Sequence, residues 1–357
     1  FQLSDLGDND LFLEPYTENT YTLLWDDGHK EIILDSQVTI AADLKTIQFE
    51  ALSRTGNATL TLTCKRSTLS SKTKTISRCT NLVVARSKNA GAGIGSTTFD
   101  DGLTVSNVYG TRVQDESISL NVPDAVRVLG VFESNDENDP DLPTITASDQ
   151  SDTFSNNVTV GEQLIGATSG AVARVVSVDS GTQLSFVYEN DDKFELAESV
   201  TLQTSGIIFT ISTLLLGDRE ISDNYTLDSG HRREFCDIAR INRKSDSDEP
   251  TRRLRIIYDH IATDESTGKV ESINSYNTLD YSKEIPVVLS KRASDFIDLR
   301  PRVNTYVTTS TVSPFAFTSR SFSNSQSEVA VTNKTIVLDY AYYLGRIDRL
   351  YLTKDGE

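Results

Sequence analysis

The stretch TYTLLWDDGHKEIIL, residues 20–34, contains the pattern that decides the fold class. Apolar side chains alternate at Tyr21, Leu23 and Trp25, an Asp-Gly turn signal follows at 27–28, and apolar residues return at 32–34. Alternation with a period of two on both sides of an Asp-Gly pair predicts a β-hairpin. The segments SQVTIAA, TIQFEAL and NATLTLTCKRS follow at the spacing typical of a small β-sandwich.

The same strand periodicity continues along the chain and predicts three regions. Residues 1–102 form an N-terminal β-sandwich-like domain that ends in a Gly- and Ser-rich linker at 86–102. Residues 103–150 and 217–357 contain longer strand-like runs and are expected to form one larger, discontinuous β-rich domain. Between these two parts, residues 151–216 hold five short strand-like runs separated by Gly, Asp and Ser turns, which predicts an inserted small β-barrel module.

The expected fold class is therefore all-β, with mainly sandwich and barrel domains, very little helix and more than one domain. A chain of 357 residues is too long for one ordinary core, which agrees with several domains. Two short segments are helix candidates, namely 233–242 and the aspartate-capped start near Ser294 and Asp295.

Charge and hydropathy limit the possible partners. The chain has 34 basic and 52 acidic residues, and its formal charge of −18 repels phosphate backbones and anionic lipids. No apolar run approaches the ~20 residues that a membrane-spanning helix requires. We therefore expect neither a nucleic-acid partner nor membrane insertion.

The reactive side chains do not form a recognisable catalytic or metal-binding motif. His29, His231 and His260 lie in no HExxH or paired-histidine context, and Cys64, Cys79 and Cys236 form no CxxC pair. Cys236 follows His231 by five residues, but a Cys-His nucleophile requires an orienting group as well, so a small buried side chain is the favoured interpretation. The three thiols are expected to be free.

The glycine-rich and acidic segments lack the context that chemistry would require. GAGIGS at 91–96 follows no buried strand and lacks the lysine of a phosphate-binding loop, and GATSGA at 166–171 has the wrong spacing for a nucleophile elbow. The acidic runs at 135–141, 189–192 and 245–249 lack the Gly and terminal Glu of a calcium loop. The sequence thus predicts no catalytic, cofactor-binding or metal-binding residue, no cofactor and no enzymatic activity.

One segment departs from the acidic balance of the chain. SDNYTLDSGHRREFCDIARINRKSDSDE, residues 222–249, gathers a histidine, a cysteine, carboxylates and several arginines, and the interval from His231 to Arg255 is net positive, with eight basic and five acidic residues. Phe235 is the one aromatic residue between His231 and Arg255, whereas a nucleic-acid stripe would have interleaved aromatics. We interpret the segment as ion-paired, either within the chain or with an acidic patch on a neighbouring subunit.

Six motifs carry a resemblance to a known class of proteins. In chain order they are YGTRVQDESISLNVPDAVRVLGVFES, GEQLIGATSGAVARV, DNYTLDSGHRREFCDIARINRK, FIDLRPRV, SPFAFTSRSF and DYAYYLGRIDRLYLTKDG. Together they resemble the large virion structural proteins of contractile-tailed phages that infect marine cyanobacteria. The similarity runs from about Leu103 to the C-terminus, and the first hundred residues match more loosely.

The resemblance implies a function without catalysis. It implies a much longer tail- or baseplate-associated polypeptide of the virion, assembling with other copies of itself and with other phage tail proteins, and it provides no catalytic residue to transfer. One alternative is a receptor-binding adhesin that recognises a host surface glycan through exposed aromatics. A second is a polysaccharide-degrading tailspike, although the chain lacks the short solenoid repeats typical of that class.

Overall fold

A computed structural model of the chain describes residues 2–3, 11–15, 20–85, 108–136, 138–148, 154–308 and 310–322. The expected all-β fold class is confirmed, because strands form several sheets and one closed six-stranded barrel. Helix in the described residues is limited to single 3-10 turns, at Asp35–Gln37, Ser222–Asn224, Ile273–Tyr276, Ala293–Asp295 and Phe317–Ser319. The chain divides into two compact units, and the first contains the described residues of Phe1–Ser71 together with Gly268–Val270.

The first unit contains eight strands in three small antiparallel sheets. The strands are β1 (Gln2–Leu3), β2 (Leu11–Leu13), β3 (Tyr21–Trp25), β4 (Lys30–Ile32), β5 (Val38–Ile40), β6 (Ile47–Phe49), β7 (Ala58–Leu62) and β8 (Cys64–Arg66). They pair in the orders β1-β6-β5, β2-β8 and β4-β3-β7. The predicted hairpin is confirmed as β3–β4, and Tyr21, Leu23 and Trp25 point into the core of this unit.

The second half of that hairpin keeps the same alternation. Glu31 in β4 and Ile33 just after it are buried, whereas Ile32 is 49 % exposed. The Glu31 carboxylate accepts hydrogen bonds from the Trp25 indole at 2.9 Å and from the Ser53 backbone N–H at 2.8 Å. Burial alone would raise the pKa of Glu31, but these hydrogen bonds lower it. Glu31 shares the inner face with Ile33 and provides the acceptor that the buried indole requires.

The second unit contains the remaining strands. They are β9 (Thr73–Val84), β10 (Ser117–Pro123), β11 (Ala125–Glu133), β12 (Thr144–Ala147), β13 (Gln163–Gly166), β14 (Val172–Ser180), β15 (Gln183–Tyr188), β16 (Ser199–Leu202), β17 (Ile208–Leu215), β18 (Arg219–Glu220), β19 (Tyr225–Asp228), β20 (Ile238–Arg243), β21 (Leu254–Asp264), β22 (Val287–Val288) and β23 (Lys291–Arg292). The sheet β10-β20-β19 and the sheet β18-β11-β21-β9 share a core that includes Ile118, Ile241 and Ile256.

The barrel closes in the order β12-β15-β14-β13-β16-β17 around its own apolar core. It begins at β12, earlier than the residue 151 at which the sequence analysis placed the module. Ile145 and Ala147 are buried in the barrel core, so β12 is a strand of the barrel. A four-residue strand between polar segments gives a weak periodicity signal, which explains the misplaced boundary.

Two further expectations differ from the structure. Strand β9 was expected in the N-terminal domain, but it pairs along its length with β21 and belongs to the second unit, which begins at Lys72. The proposed linker at 86–102 lies outside the described residues. The helix candidate at 233–242 contains strand β20 instead, while the candidate near Ser294 is the single 3-10 turn Ala293–Asp295.

The two connections to the barrel lie side by side. Strands β11 and β18, which flank the barrel in sequence, pair with each other in the larger sheet. The Asp218 backbone N–H donates to the Asp141 carbonyl oxygen at 2.8 Å, and the Asp141 N–H donates to the Asp218 carboxylate at 2.8 Å. Gly217 has φ = +71°, and a Cβ there would lie 2.6 Å from the Leu142 backbone. This close approach requires glycine.

The barrel consists of two similar halves. EQLIGATSG at 162–170 and ESVTLQTSG at 198–206 have Glu, Thr, Ser and Gly at the same spacing. Strand β13 pairs antiparallel with β16 so that Ile165 lies opposite Thr201, its equivalent in the other half. A local two-fold axis therefore passes through this pair and relates β12–β14 to β15–β17.

Candidate functional site

The most concentrated group of charged side chains in the second unit is a buried cluster, called the Asp124 network below. Its members come from β9, the β10–β11 turn and three loops, and they are Lys74, Asp124, His231, Glu271 and Arg302. The side chains of Lys74 and Asp124 are fully buried, and no side chain of the network is more than 8 % exposed. Lys74 points inward because it occupies a core-facing position of the alternating strand β9.

Asp124 is the centre of this network. Its Oδ2 atom lies 2.9 Å from the Lys74 Nζ and 3.0 Å from the Arg302 Nη1, and its Oδ1 atom lies 2.8 Å from the His231 Nε2. Asp124 has φ = +62°, a left-handed conformation that turns the chain from β10 into β11 and that Asp tolerates better than most residues. The tight turn thus places one carboxylate among three cations.

Glu271 closes the network from the other side. Its carboxylate lies 2.5 Å from the Lys74 Nζ and 2.5 Å from the Arg302 Nη2. The Lys74 ammonium also donates to the Tyr276 hydroxyl at 2.9 Å. Lys74 and Arg302 therefore each bridge the two carboxylates, which satisfies charges that would otherwise be costly to bury.

The network holds its members in their charged forms. Burial alone would raise the pKa of Asp124, but Lys74, Arg302 and His231 hold it well below its usual value. Burial likewise opposes ionisation of Glu271, yet Arg302 and Lys74 lower its pKa to about 2. For His231, burial lowers the pKa and Asp124 raises it, with a net increase to about 10. Lys74, His231 and Arg302 thus face two carboxylates as cations at neutral pH.

The second ring nitrogen of His231 also has a partner. The Arg300 Nη2 lies 3.2 Å from the His231 Nδ1 and is itself paired with Asp298 at 2.6 Å. This guanidinium favours the neutral imidazole and therefore opposes the effect of Asp124, although Asp124 is closer and fully buried. In the imidazolium form Nδ1 carries a proton and cannot accept a hydrogen bond from Arg300, so this contact is one between like charges.

Cys236 lies beside the network but has no access to solvent. Its side chain is buried, its Sγ atom lies 3.6 Å from the Arg302 Nη1, and its backbone pairs with Pro301 and Val303. Cys236 also hydrogen-bonds to the His231 side chain, and this contact adds to the raised pKa of the histidine. Because the thiol is only 2 % exposed, the pair is enclosed and out of reach of an external substrate. Cys236 is the small buried residue that its sequence context indicates.

Several other charges of the 222–249 segment pair within the chain. Arg232 lies 2.6 Å from Asp228, and Arg240 lies 3.2 Å from the same carboxylate. Arg320 binds both carboxylate oxygens of Asp237, at 2.8 and 2.7 Å. These contacts confirm the interpretation of the segment as ion-paired, and the ion pairs of Arg232, Arg240 and Arg320 are intramolecular.

The remaining candidate residues lie apart from the network or have a local structural role. His29 is exposed in the β3–β4 turn, and His260 faces the Thr80 hydroxyl at 3.1 Å, with its pKa lowered by burial. Cys79 and Cys236 are buried free thiols, and Cys64 is partly buried. Across the part of the chain that the structure describes, no three or more His, Cys, Asp or Glu side chains are arranged to hold a metal ion.

The GATSGA segment forms a turn, and a carboxylate from the other half of the barrel stabilises it. Glu198 accepts hydrogen bonds from the backbone N–H groups of Thr168 and Ser169 at 2.8 and 2.7 Å. Burial alone would raise the pKa of Glu198, but the hydrogen bonds lower it to about 2. Glu162 accepts in the same way from Thr204 and Ser205. Each half of the barrel therefore stabilises the turn of the other.

The first unit has a shallow groove with a volume of about 360 Å³. Its lining is largely apolar and consists of Pro15, Val38, Ile40, Ala41, Ala42 and Leu44. Convergent charged or hydrogen-bonding side chains, which a substrate site normally has, are missing from this lining.

Sequence reasoning singled out His231 but missed its partners. Lys74 and Asp124 were absent from the candidates because their significance depends on tertiary contacts between distant segments. One signal was available in the sequence, namely a charged residue at a core-facing position of an alternating strand, as at Lys74. The repeated Glu and Thr-Ser-Gly spacing was a second signal.

Comparisons with known proteins add no relative. No family model, curated protein or solved structure matches this chain. Among the described residues there is also no helix whose length and hydropathy suit a membrane crossing.

Proposed function

We propose that this chain is a non-enzymatic structural component of a bacteriophage virion, at the tail baseplate or at a fibre attachment. One observation carries the proposal. Three of the segments that resemble phage virion proteins meet in the Asp124 network, which takes Asp124 from the first, His231 from the third and Arg302 from the fourth. The fifth segment, SPFAFTSRSF, is joined to the third by the ion pair between Arg320 and Asp237. Their charged residues connect distant parts of the chain instead of lining an open cleft.

This arrangement suits a particle that must keep its form outside a cell. Long pairings such as β9–β21 and buried ion pairs between distant segments resist local opening, which is the step that exposes a chain to proteases. Copies of the chain and other tail proteins would assemble on the surfaces of such a scaffold. The proposal therefore assigns protein-protein assembly as the activity.

The proposal is tested by locating the chain in particles of a phage that encodes it. Antibodies raised against the purified chain and detected with gold are expected to label the tail end of intact particles, and peptides of the chain should appear in purified particles at structural abundance. Detection of the chain only in infected-cell lysate, with none in purified particles, would contradict the proposal.

A glycan-binding adhesin is the second candidate, and one observation favours it. Several aromatic side chains of the second unit are exposed, with Phe317 at 78 % and Tyr281 at 54 %. Exposed rings of this kind can stack on sugar faces. Binding of host surface polysaccharide that is lost in Phe317→Ser or Tyr281→Ser would support the adhesin. Release of reducing ends from the same polysaccharide would instead support a tailspike enzyme.

A further inference from the structure

Three side chains of the Asp124 network bring an amine, a carboxyl group and a second carboxylate into direct contact. The Lys74 Nζ lies 2.9 Å from the Asp124 Oδ2 and 2.5 Å from the Glu271 carboxylate. Because Oδ2 is bonded to Cγ at about 1.2 Å, the nitrogen lies within about 4 Å of the Asp124 carbonyl carbon. A near-attack conformer requires about 3–3.5 Å with the nitrogen above the plane of the carboxyl group, so the amine has to leave its hydrogen bond to Oδ2 and move by up to about 1 Å to reach the carbon.

From this geometry we propose that Lys74 and Asp124 condense into an intramolecular amide cross-link within the folded chain. The inference is independent of the proposed function, since it concerns only groups inside the second unit. Such a bond would join β9 to the β10–β11 turn, which are adjacent in space but 50 residues apart in sequence.

The reaction balances without any added reagent. A bond forms between the Lys74 Nζ and the Asp124 Cγ, and the bond from Cγ to Oδ1 breaks. Two of the three ammonium protons leave with this oxygen as water, and the third stays on the amide nitrogen. No atom is oxidised or reduced, so no cofactor or oxidant is required.

Glu271 is positioned to begin the reaction. In the ground state Lys74 and Asp124 form an ion pair, and an ammonium group is not nucleophilic. The Glu271 carboxylate contacts Nζ and can accept a proton from it, but its pKa of about 2 keeps the free amine a rare form, so the condensation is slow and requires long incubation of the folded chain. The Tyr276 hydroxyl, 2.9 Å from the same nitrogen, helps to hold it in place.

Arg302 and His231 are positioned on the two oxygens of Asp124. Arg302 contacts Oδ2, where negative charge develops when the amine adds to the carbon, and it stabilises that charge as an oxyanion site does. His231 contacts Oδ1 and can donate the proton that converts it into a leaving group. Each polar contact of Asp124 thus has a defined role in the condensation.

Burial favours the product over the ion pair. The side chains of Lys74 and Asp124 are fully buried, so bulk water has little access to the amide once it has formed, and hydrolysis of the cross-link is slow. Condensation also removes two opposite charges from the interior, while Glu271 keeps Arg302 as its partner.

Intact-mass measurement of the purified full chain tests the inference. The expected result, after incubation of the folded chain, is a mass lower than the sequence mass by one water. Digestion should then yield one branched peptide in which Lys74 is joined to Asp124. The boiled chain should also migrate faster than a Lys74→Arg variant in a denaturing gel, because the bond closes a loop.

Variants distinguish a specific reaction from incidental dehydration. Lys74→Arg keeps the positive charge and is expected to show its full sequence mass, and Glu271→Gln is expected to lose most of the cross-linked fraction. Lys72→Arg is the matched control, because Lys72 is equally buried and pairs with Glu265 but does not contact Asp124, and it should retain the water loss. A folded wild-type chain that keeps its full sequence mass at every pH at which it remains folded overturns the proposal. Water loss that persists in Lys74→Arg overturns it as well.

Discussion

Asp124 shows how a single buried carboxylate can set the stability of the second unit. It interacts with three cations, and Arg302 connects it to Glu271. Removing one partner of a buried ion pair leaves a charge without compensation and typically costs about 3–5 kcal/mol. We therefore expect Arg302→Ala to lower the free energy of unfolding of the second unit by about that amount, as measured by urea denaturation.

An ion pair with one exposed member, Arg219, provides the control for the Arg302→Ala variant. Arg219 is 62 % exposed and lies 3.1 Å from Glu133, which also accepts hydrogen bonds from the backbone of Thr251 and Arg252. Surface pairs of this kind contribute about 0–1 kcal/mol. Arg219→Ala should therefore have little effect, and equal destabilisation by the two variants would argue against a special role for the buried network.

In the chain that keeps the Lys74–Asp124 ion pair, the raised pKa of His231 predicts a pH dependence with a definite sign. The folded chain holds this proton up to about pH 10, whereas an unfolded histidine releases it near its ordinary pKa of 6.5. The stabilisation is therefore fully present below pH 6.5 and is lost as pH rises toward 10, at up to about 1.4 kcal/mol per pH unit. Asp124 favours this charge and Arg300 opposes it.

Urea denaturation of wild type and of His231→Gln, at a series of pH values from 6 to 10, measures this effect. The difference in unfolding free energy between the two chains is expected to shrink steadily across this interval. A difference that stays constant with pH would mean that His231 is neutral in the folded chain and donates one hydrogen bond to Asp124.

At the scale of elements, the two halves of the barrel hold each other through Glu162 and Glu198. Each carboxylate accepts backbone hydrogen bonds from the Thr-Ser-Gly turn of the opposite half. Substitution by glutamine removes the negative charge and one of the two acceptor oxygens, which weakens hydrogen bonds that contribute about 1.5–3 kcal/mol when the acceptor is charged. We expect Glu198→Gln and Glu162→Gln each to speed amide hydrogen exchange in the turn that the residue contacts, at 168–170 and 204–206 respectively.

Glu195→Gln is the matched control for these variants. Glu195 is exposed and lies in the same turn as Glu198, but its side chain is not among the acceptors of the Thr168 and Ser169 N–H groups. Exchange at 168–170 should be unchanged in this variant. If Glu198→Gln also left amide exchange at 168–170 unchanged, the hydrogen bonds to Glu198 would not be what orders this turn.

The sequence predicted individual strands better than it predicted which strands pair with each other. Alternation at Tyr21, Leu23 and Trp25 identified the β3–β4 hairpin, because its turn and its partner strand are adjacent in the chain. Strand β9 was placed in the wrong unit, because its partner β21 lies far along the sequence and local periodicity does not name a partner. The Asp124 network was missed for the same reason. Local patterns specify a strand, whereas a buried ion pair depends on which strands meet.

At the scale of the whole second unit, the barrel is inserted between two paired strands of a larger sheet. Its ends meet at Asp141 and Asp218, which are joined by hydrogen bonds, so the parent sheet continues from β11 to β18 across the insertion. The barrel also covers part of that sheet, because Phe132 and Ile257 pack against Val176 and Val187. The insertion is therefore both a loop of the parent and a cover for one of its faces.

Replacement of residues 142–217 by a short Gly/Ser linker tests whether the parent folds without the barrel. Loop-closure entropy changes by only about 0.6 kcal/mol per doubling of loop length, so the parent neither needs nor opposes the long insertion. Exposure of Phe132 and Ile257 costs about 1.5–3 kcal/mol for each side chain that becomes fully exposed. We expect a strand-rich circular dichroism spectrum and cooperative unfolding at a lower urea concentration than in wild type.

A second variant distinguishes exposure of the apolar sheet face from unfolding of the parent sheet. Adding Phe132→Thr to the deletion removes the largest newly exposed apolar side chain, and it should reduce aggregation while the sheet remains intact. The excised 142–217 segment should also fold alone, because its core is closed within the six strands of the barrel. A deletion variant that binds hydrophobic dyes and unfolds without cooperativity, with or without Phe132→Thr, would show that the barrel strands belong to the core of the parent.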